Sequence, residues 1–288
     1  MRVLILGGTR YFGKATVELL LKNMRFTSVK TLSRSKQNED ANSHIICDRK
    51  NIHELHSVFR NFRPDVIVDM INFSRDDSEG LVEAYSKGIL PSLKHYIMVS
   101  SFFVYNYFDL KEFREKQLDL SLVKINKVDN YTYQKIEAET ILYASQLMDL
   151  TSILRLPFVF SSDDYSGRFQ SICEISKRGN LKALDNKYRY SMISKSLAAK
   201  GIEYLCTGSS QGIVDFANSG CVTTEKMVQI IRNGLGLDSK FNDGELPQFP
   251  YSVDRDICIQ TIKIKINQSL NSALKKEANE YFSSIFSL

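Results

Sequence analysis

Apolar residues in the first half of the chain fall into two alternating patterns, short unbroken runs and longer stretches at helical spacing. Val3-Leu4-Ile5-Leu6 is the first unbroken run, and apolar residues without alternation fit a strand covered on both faces. Behind it Ala15, Val17, Leu19, Leu20 and Leu21 make a helical stripe. The same reading expects strands at 28–33 and 44–47, a helix over 52–62, and a strand at 66–68 introduced by Pro64-Asp65. A helix over 78–87, a buried strand at 95–99, a long helix over 131–147 and a strand at 152–156 follow. The C-terminal part is less regular. Strands at 201–205 and 212–216, a helix over 224–235 and partial helix within 259–276 are expected there.

Strands alternating with helices predict βαβ units and a parallel sheet. Right-handed crossovers then make an α/β, Rossmann-type doubly wound sheet, with the first strand–helix loop near its switch point. Residues 1–158 are expected to carry this sheet, with a segment near 195–220 returning to it. Residues 159–288 are expected to form mainly a smaller, substrate-binding lobe.

The first loop reads Gly7-Gly8-Thr9-Arg10-Tyr11-Phe12-Gly13, between a strand and a helix, the context that a dinucleotide-binding loop requires. Glycines permit a tight turn and close backbone approach to a pyrophosphate, and the helix start supplies N–H groups and a positive dipole end. Gly7 and Gly13 take the outer positions of G-x-x-G-x-x-G, and Arg10 takes the middle one. Gly7, Thr9, Arg10, Tyr11, Phe12 and Gly13 are therefore candidate cofactor contacts; a glycine-rich turn with a helix cap is the plainer alternative. At the end of the second strand, Arg34-Ser35-Lys36 stands where a carboxylate would read a ribose 2′-hydroxyl. Cations and donors there suit a 2′-phosphate, so NADP(H) is favoured and NAD(H) is the alternative. Asp48, after the third strand, is a candidate for holding an adenine amino group.

Tyr131 and Lys135 form Tyr-x-x-x-Lys on the predicted long helix, which puts both side chains on one face, a turn apart. An ammonium beside a phenol favours the phenolate, lowering a pKa that is ordinarily ~10. Such a tyrosine exchanges a proton with a carbonyl or alcohol oxygen while a nicotinamide exchanges hydride. Upstream, a buried strand runs into Ser100-Ser101, and a serine at the carboxyl end of a parallel strand faces the crevice where ligands bind.

Composition narrows the classes. In 288 residues, 43% hydrophobic and 25% charged describe a globular protein able to bury a full core. The net charge of +5 comes from scattered Lys and Arg; it suits an anionic small molecule, and without a basic, aromatic-interleaved patch a nucleic-acid partner is not expected. Cys47, Cys173, Cys206, Cys221 and Cys258 are an odd, widely spaced set, which predicts reduced thiols in a cytoplasmic protein. His44, His53 and His56 have no carboxylate or cysteine cluster to complete a site, so no metal is expected. The apolar start is too short for a signal peptide, and no stretch approaches the ~20 apolar residues of a membrane span.

Taken together, these motifs resemble the short-chain dehydrogenase/reductase superfamily, in its extended NAD-dependent epimerase/dehydratase branch that modifies nucleotide-linked sugars. GGTRYFG resembles that branch's glycine motif with arginine in the middle position, SSFFVY (100–105) its serine motif, and Tyr131 with Lys135 its catalytic pair. Arg155-Leu156-Pro157 and residues 164–168 and 192–198 are similar to later stretches, with Lys195 where an aspartate is usual. The resemblance implies Ser101 as catalytic serine with Ser100 beside it, and Tyr131 as acid/base. It implies Lys135 as the residue that lowers the tyrosine pKa and holds the nicotinamide ribose. It also implies a nucleotide-sugar substrate and a homodimer. Arg168 is the candidate for a substrate diphosphate, since such sites favour a forked cation. Phe102, Phe103, Tyr105 and Tyr107 are candidates to stack on a sugar or base, or else to pack in the core.

Dehydratases of this branch carry an Asp-Glu pair directly after the catalytic serine or threonine, where this chain has Phe102-Phe103. Two reactions then remain. One is reduction of a 4-keto-sugar nucleotide with hydride from NADPH and a proton from Tyr131, which is favoured. The other is 4-epimerisation with tightly held NAD. A non-catalytic dinucleotide-sensing or RNA-associated scaffold is the alternative of another class.

Overall fold

The computed structural model describes residues 1–35, 43–107, 130–178, 188–208, 211–237, 258, 264 and 266–286. Its strands are β1 (Arg2–Leu6), β2 (Ser28–Ser33), β3 (His44–Ile46), β4 (Val66–Asp69), β5 (His95–Ser101), β6 (Thr151–Leu156), β7 (Phe158–Phe160), β8 (Met192–Ser194) and β9 (Gly212–Asp215). Seven form one sheet in the order β3-β2-β1-β4-β5-β6-β9, every pair parallel, while β7 and β8 pair apart from it. The order changes direction between β1 and β4, and a crevice opens at the carboxyl ends there.

The helices are α1 (Tyr11–Lys22), α2 (Ile52–Phe62), α3 (Arg75–Ser86), α4 (Asn130–Tyr143), α5 (Arg168–Arg178), α6 (Lys195–Thr207), α7 (Thr224–Gly234) and α8 (Leu270–Phe286). Alternate strand residues explain why the strands read as unbroken apolar runs. Val3, Ile5, Val66, Val68, Ile97, Val99, Leu154 and Val214 face α1 and α6. Their neighbours Leu4, Leu6, Ile67, Tyr96, Met98, Ile153 and Ile213 face α2, α3 and α4. Covering one such side chain contributes about 1.5–3 kcal/mol. A third cluster joins β7, β8, α5, α7 and α8 around Phe160, Phe169, Met192, Ile231 and Leu274.

Most expected elements stand within a residue or two of their predicted places. The long helix is shorter, ending at Tyr143, and a 3-10 turn spans Gln146–Leu150. The stretch 201–205, expected as a strand, lies inside α6. Ser194 caps that helix by accepting from the Leu197 N–H, and Leu197, Ala198, Ile202 and Leu205 bury one face. Gly201 does not mark a strand; a Cβ there would lie 2.2 Å from the Phe216 ring, so the glycine lets the helix sit against β9. Of the stretch 259–276, the residues from Leu270 on belong to α8, while 259–263 and 265 lie outside the described residues. Lys36 lies outside the described residues.

The cysteine expectation needs correcting. Cys221 and Cys258 form a disulfide with Cα atoms 5.6 Å apart, whereas Cys47, Cys173 and Cys206 are buried and free. The partners are 37 residues apart in sequence. Among the described residues no helix is long and apolar enough to cross a membrane.

Denatured, non-reduced protein is therefore expected to titrate three thiols, not five. Replacing Cys221 with Ala should lower stability by about 2–4 kcal/mol in urea melts without reductant, and the difference should vanish with reductant.

Candidate active site

The glycine loop leaves β1 and turns into α1 with Gly7 and Gly8 at φ of 89° and 81°, angles an L side chain rarely adopts. A Cβ on Gly13 would stand 2.8 Å from the Gly8 Cα and 2.9 Å from the Met70 sulfur, so α1 approaches the loop this closely only with glycine. Arg10 occupies the N-cap position with no side-chain cap, and the first turn has no acidic residue. The N–H groups at the start of α1 are thus unscreened, which suits an anion. Tyr11, the first helical residue, holds a φ of 52°. Its hydroxyl donates to the Val159 carbonyl at 2.9 Å, linking the loop to β7. Burial pushes the Tyr11 phenol far above its ordinary pKa, so it remains a neutral donor.

Facing this loop, α4 presents Tyr131 at the cleft mouth, 45% exposed, and Lys135 at its floor, 2% exposed. The Lys135 Nζ donates to the carbonyls of Asn72 at 2.5 Å and Val99 at 2.9 Å. It lies 4.7 Å from the Phe73 ring centroid and 5.9 Å from that of Tyr131. An ammonium has three N–H groups, so one remains for a ligand hydroxyl. Burial pulls the Lys135 pKa down to about 8, with Asp69 and Glu139 opposing.

Ser101 ends β5, where its hydroxyl oxygen accepts from the Phe103 N–H at 3.2 Å, leaving the hydroxyl proton to donate. Ser100 points the other way: its hydroxyl donates to Glu139 Oε1 at 2.5 Å. Glu139 in turn pairs with Arg155 of β6, both buried. Arg155 reaches Tyr105 at 2.8 Å, and Tyr105 donates to Asp215 of β9 at 2.8 Å. Burial works against the Arg155 charge, but Glu139, Tyr105 and Asp215 outweigh it and its pKa is raised.

The far wall comes from the C-terminal lobe. Arg168, the first residue of α5, donates to Ser166 at 2.8 Å and stacks 4.7 Å from the Phe158 ring. Asp164 caps the same helix start through Ser166 and Phe169.

A cleft of about 540 Å³ unites these parts. Of the residues expected from sequence, Gly7, Thr9, Arg10, Tyr11, Phe12, Gly13, Ser100, Ser101, Tyr131, Lys135 and Arg168 line it. Phe102 does not: it is 2% exposed in the core of the C-terminal lobe, and Phe103 lines the cleft instead. Arg34 and Ser35 stand at the end of β2, outside this lining, with the Ser35 carbonyl held by Ser33 and His44. Asp48 accepts from the Lys50 N–H in a turn, also outside it. Lys195, in the aspartate's usual place, pairs with Asp163 at 2.5 Å. Sequence reasoning missed Met70, Ile71 and Phe73 after β4 and the exposed ring of Tyr165; only Met70-Ile71, an apolar extension of the β4 run, left a signal. Among the described residues no group of three potential metal ligands occurs.

A model of the NAD dependent epimerase/dehydratase family matches residues 3–174. Comparison with curated protein sequences finds no match. Among solved structures, the chain is similar to a dTDP-glucose 4,6-dehydratase from Bacillus anthracis in complex with NAD. The TM-score is 0.74 at 15% identity, over 99% of this chain and 97% of that one. It is similar also to the enzyme WbmG from Bordetella bronchiseptica in complex with NAD and UDP, with TM-score 0.74 and 14% identity over 99% and 96% of the two chains. A UDP-glucose 4-epimerase from Thermotoga maritima with UDP-glucose gives 0.71 at 16% identity, over 99% and 100%.

Replacing Gly13 with Ala is expected to force α1 off the loop, lowering stability by about 1–3 kcal/mol. The loss is read as a lowered urea midpoint relative to wild type.

Proposed function

Because this chain belongs to the NAD dependent epimerase/dehydratase family, we propose that it reduces a keto group on a nucleotide-linked sugar with NADPH. The observation that carries the reading is the convergence of the glycine loop, Ser101, Tyr131 and Lys135 on one cleft. The residues present fit a dinucleotide. Gly7–Gly13 and the start of α1 would hold its pyrophosphate, and the remaining N–H of Lys135 its nicotinamide ribose. The bound nicotinamide would supply hydride.

Each protein group then has a role. Ser101 donates its free hydroxyl proton to the substrate carbonyl oxygen, and Tyr131 gives that oxygen a proton as charge develops on it. Lys135, as ammonium, favours the tyrosinate left behind. Arg168, already fixed by Ser166 and Phe158, meets the substrate diphosphate. Phe102 in the core and Phe103 on the wall put no carboxylate where elimination of water would need one, which supports reduction over dehydration. Arg34, exposed directly after β2 with no carboxylate paired to it among the described residues, supports a 2′-phosphate and so NADPH.

Fluorescence titration tests this. NADPH should bind more tightly than NADH, and Arg34→Ala should weaken NADPH roughly 10- to 100-fold, the effect of one charge-assisted hydrogen bond, while sparing NADH. NAD retained through purification would redirect the reading to 4-epimerisation; binding of neither dinucleotide would leave a scaffold. With a keto-sugar nucleotide, Tyr131→Phe should lower kcat by about 10²–10⁴ with NADPH affinity unchanged.

A further inference from the structure

Lys135 is held by another element's main chain. Its shortest hydrogen bond runs to the carbonyl of Asn72, in the segment between β4 and α3, where no regular hydrogen-bond ladder fixes the backbone. The Asn72 side chain does so instead. It is fully buried, and its amide donates to Ser78 and Tyr96, each at 3.0 Å. Ser78 donates back to its carbonyl oxygen at 3.3 Å. Tyr96 in turn donates to Asp69 at 2.9 Å. Asp69 is anchored by Arg49 at 2.7 Å and accepts from the Ile71 N–H at 3.2 Å. Arg49 is itself clamped to Asp77 at 3.0 Å. The next residue, Phe73, lays its ring beside the same ammonium.

We propose that Asn72 is a positioning residue for Lys135: its pinned amide sets where its carbonyl stands, and the carbonyl sets where the ammonium stands. The inference deepens the reading above, since that ammonium is what would act on Tyr131 and the ribose. Every element around Lys135 bears on its charge. Asp69 at the end of β4, Asp77 on α3 and Glu139 on α4 favour the ammonium; Arg49 after β3 disfavours it, as does burial, the largest effect. Tyr131 faces it from its own helix. A fixed carbonyl acceptor favours the charged form. Releasing it should move the Lys135 pKa still lower and misplace the remaining N–H.

The ionisation can be read without substrate or cofactor. The folded pKa of about 8 lies below the ordinary 10.5, so between those values the unfolded chain binds more protons. Stability contributed by this group is thus absent below about 8, rises with pH, and is complete above 10.5. Urea midpoints from roughly two pH units below that range up to its top are compared for wild type, Lys135→Met, Asn72→Ala and the double variant. The Lys135→Met difference in each background gives the pH at which Lys135 begins to lose its proton. The expected result is an onset near 8 with Asn72 and about one pH unit lower with Ala; an unchanged onset overturns the inference. Should Asn72→Ala fail to fold, Tyr96→Phe removes one partner of the amide and keeps the ring. A smaller shift in the same direction supports the inference, and none overturns it. NADPH titration of the same proteins separates the two proposals. A shifted onset without dinucleotide binding keeps Asn72 and sinks the reductase, whereas binding with an unmoved onset does the reverse.

Discussion

The ion pair between Glu139 and Arg155 sets the geometry on which the site depends. Glu139 lies one turn beyond Lys135 on α4, Arg155 near the carboxyl end of β6, and Ser100 of β5 donates to the same carboxylate. Removing two charges from water is costly, and such a pair seldom adds net stability. Its effect here is on register. Rotating α4 by one residue, about 100°, would carry Glu139 away and strand a buried guanidinium, at about 3–5 kcal/mol. Tyr131 and Lys135 share the helix, so they are aimed by the same constraint.

Lys135 obeys the opposite logic. It meets carbonyls and an aromatic ring where Arg155 meets a carboxylate. A close carboxylate would stabilise the ammonium but occupy the N–H groups that face the cleft. Two carbonyls hold it in place, leave one donor and keep its charge labile near pH 8. The glycine loop supplies the other half of the cleft, and there Tyr11 adopts a left-handed φ of 52°. Such a conformation costs on the order of 1–3 kcal/mol and is retained where surroundings enforce it. The hydrogen bond to Val159 does so, tying the loop that would hold a pyrophosphate to the strand pair of the C-terminal lobe.

How much of this was legible in the sequence follows from range. The sheet was, because strands covered on both faces must be apolar at every position, and Val3–Leu6 and Val66–Val68 are. The glycine loop and the Tyr131–Lys135 spacing were also legible, since both are local. Phe102 and Phe103 were not separable: they are adjacent, and only the 3-10 turn after β5 sends one into the core and the other to the cleft. The stretch from Gly201 to Leu205 read as a strand because the partner that explains the glycine, Phe216, lies across the fold. Asn72, the Glu139–Arg155 pair and the Cys221–Cys258 disulfide share that cause. Each needs a partner that sequence spacing does not identify.

Departures from the family pattern show the same dependence on partners. Lys195 stands where an aspartate is usual, and Asp163 across the loop answers it, so the exchange of sign leaves a pair. Arg10 stands at a glycine position of the loop motif; its extended backbone suits the N-cap and its side chain makes no cap, so the start of α1 stays open to an anion. At 14–16% identity to the three solved structures named above, the shared fold fixes where a cleft lies but not its reaction. That choice rests with the few side chains that reach it: Ser101 with one proton to give, Tyr131 beside a buried lysine whose pKa is lowered, and Arg168 held by Ser166 and Phe158.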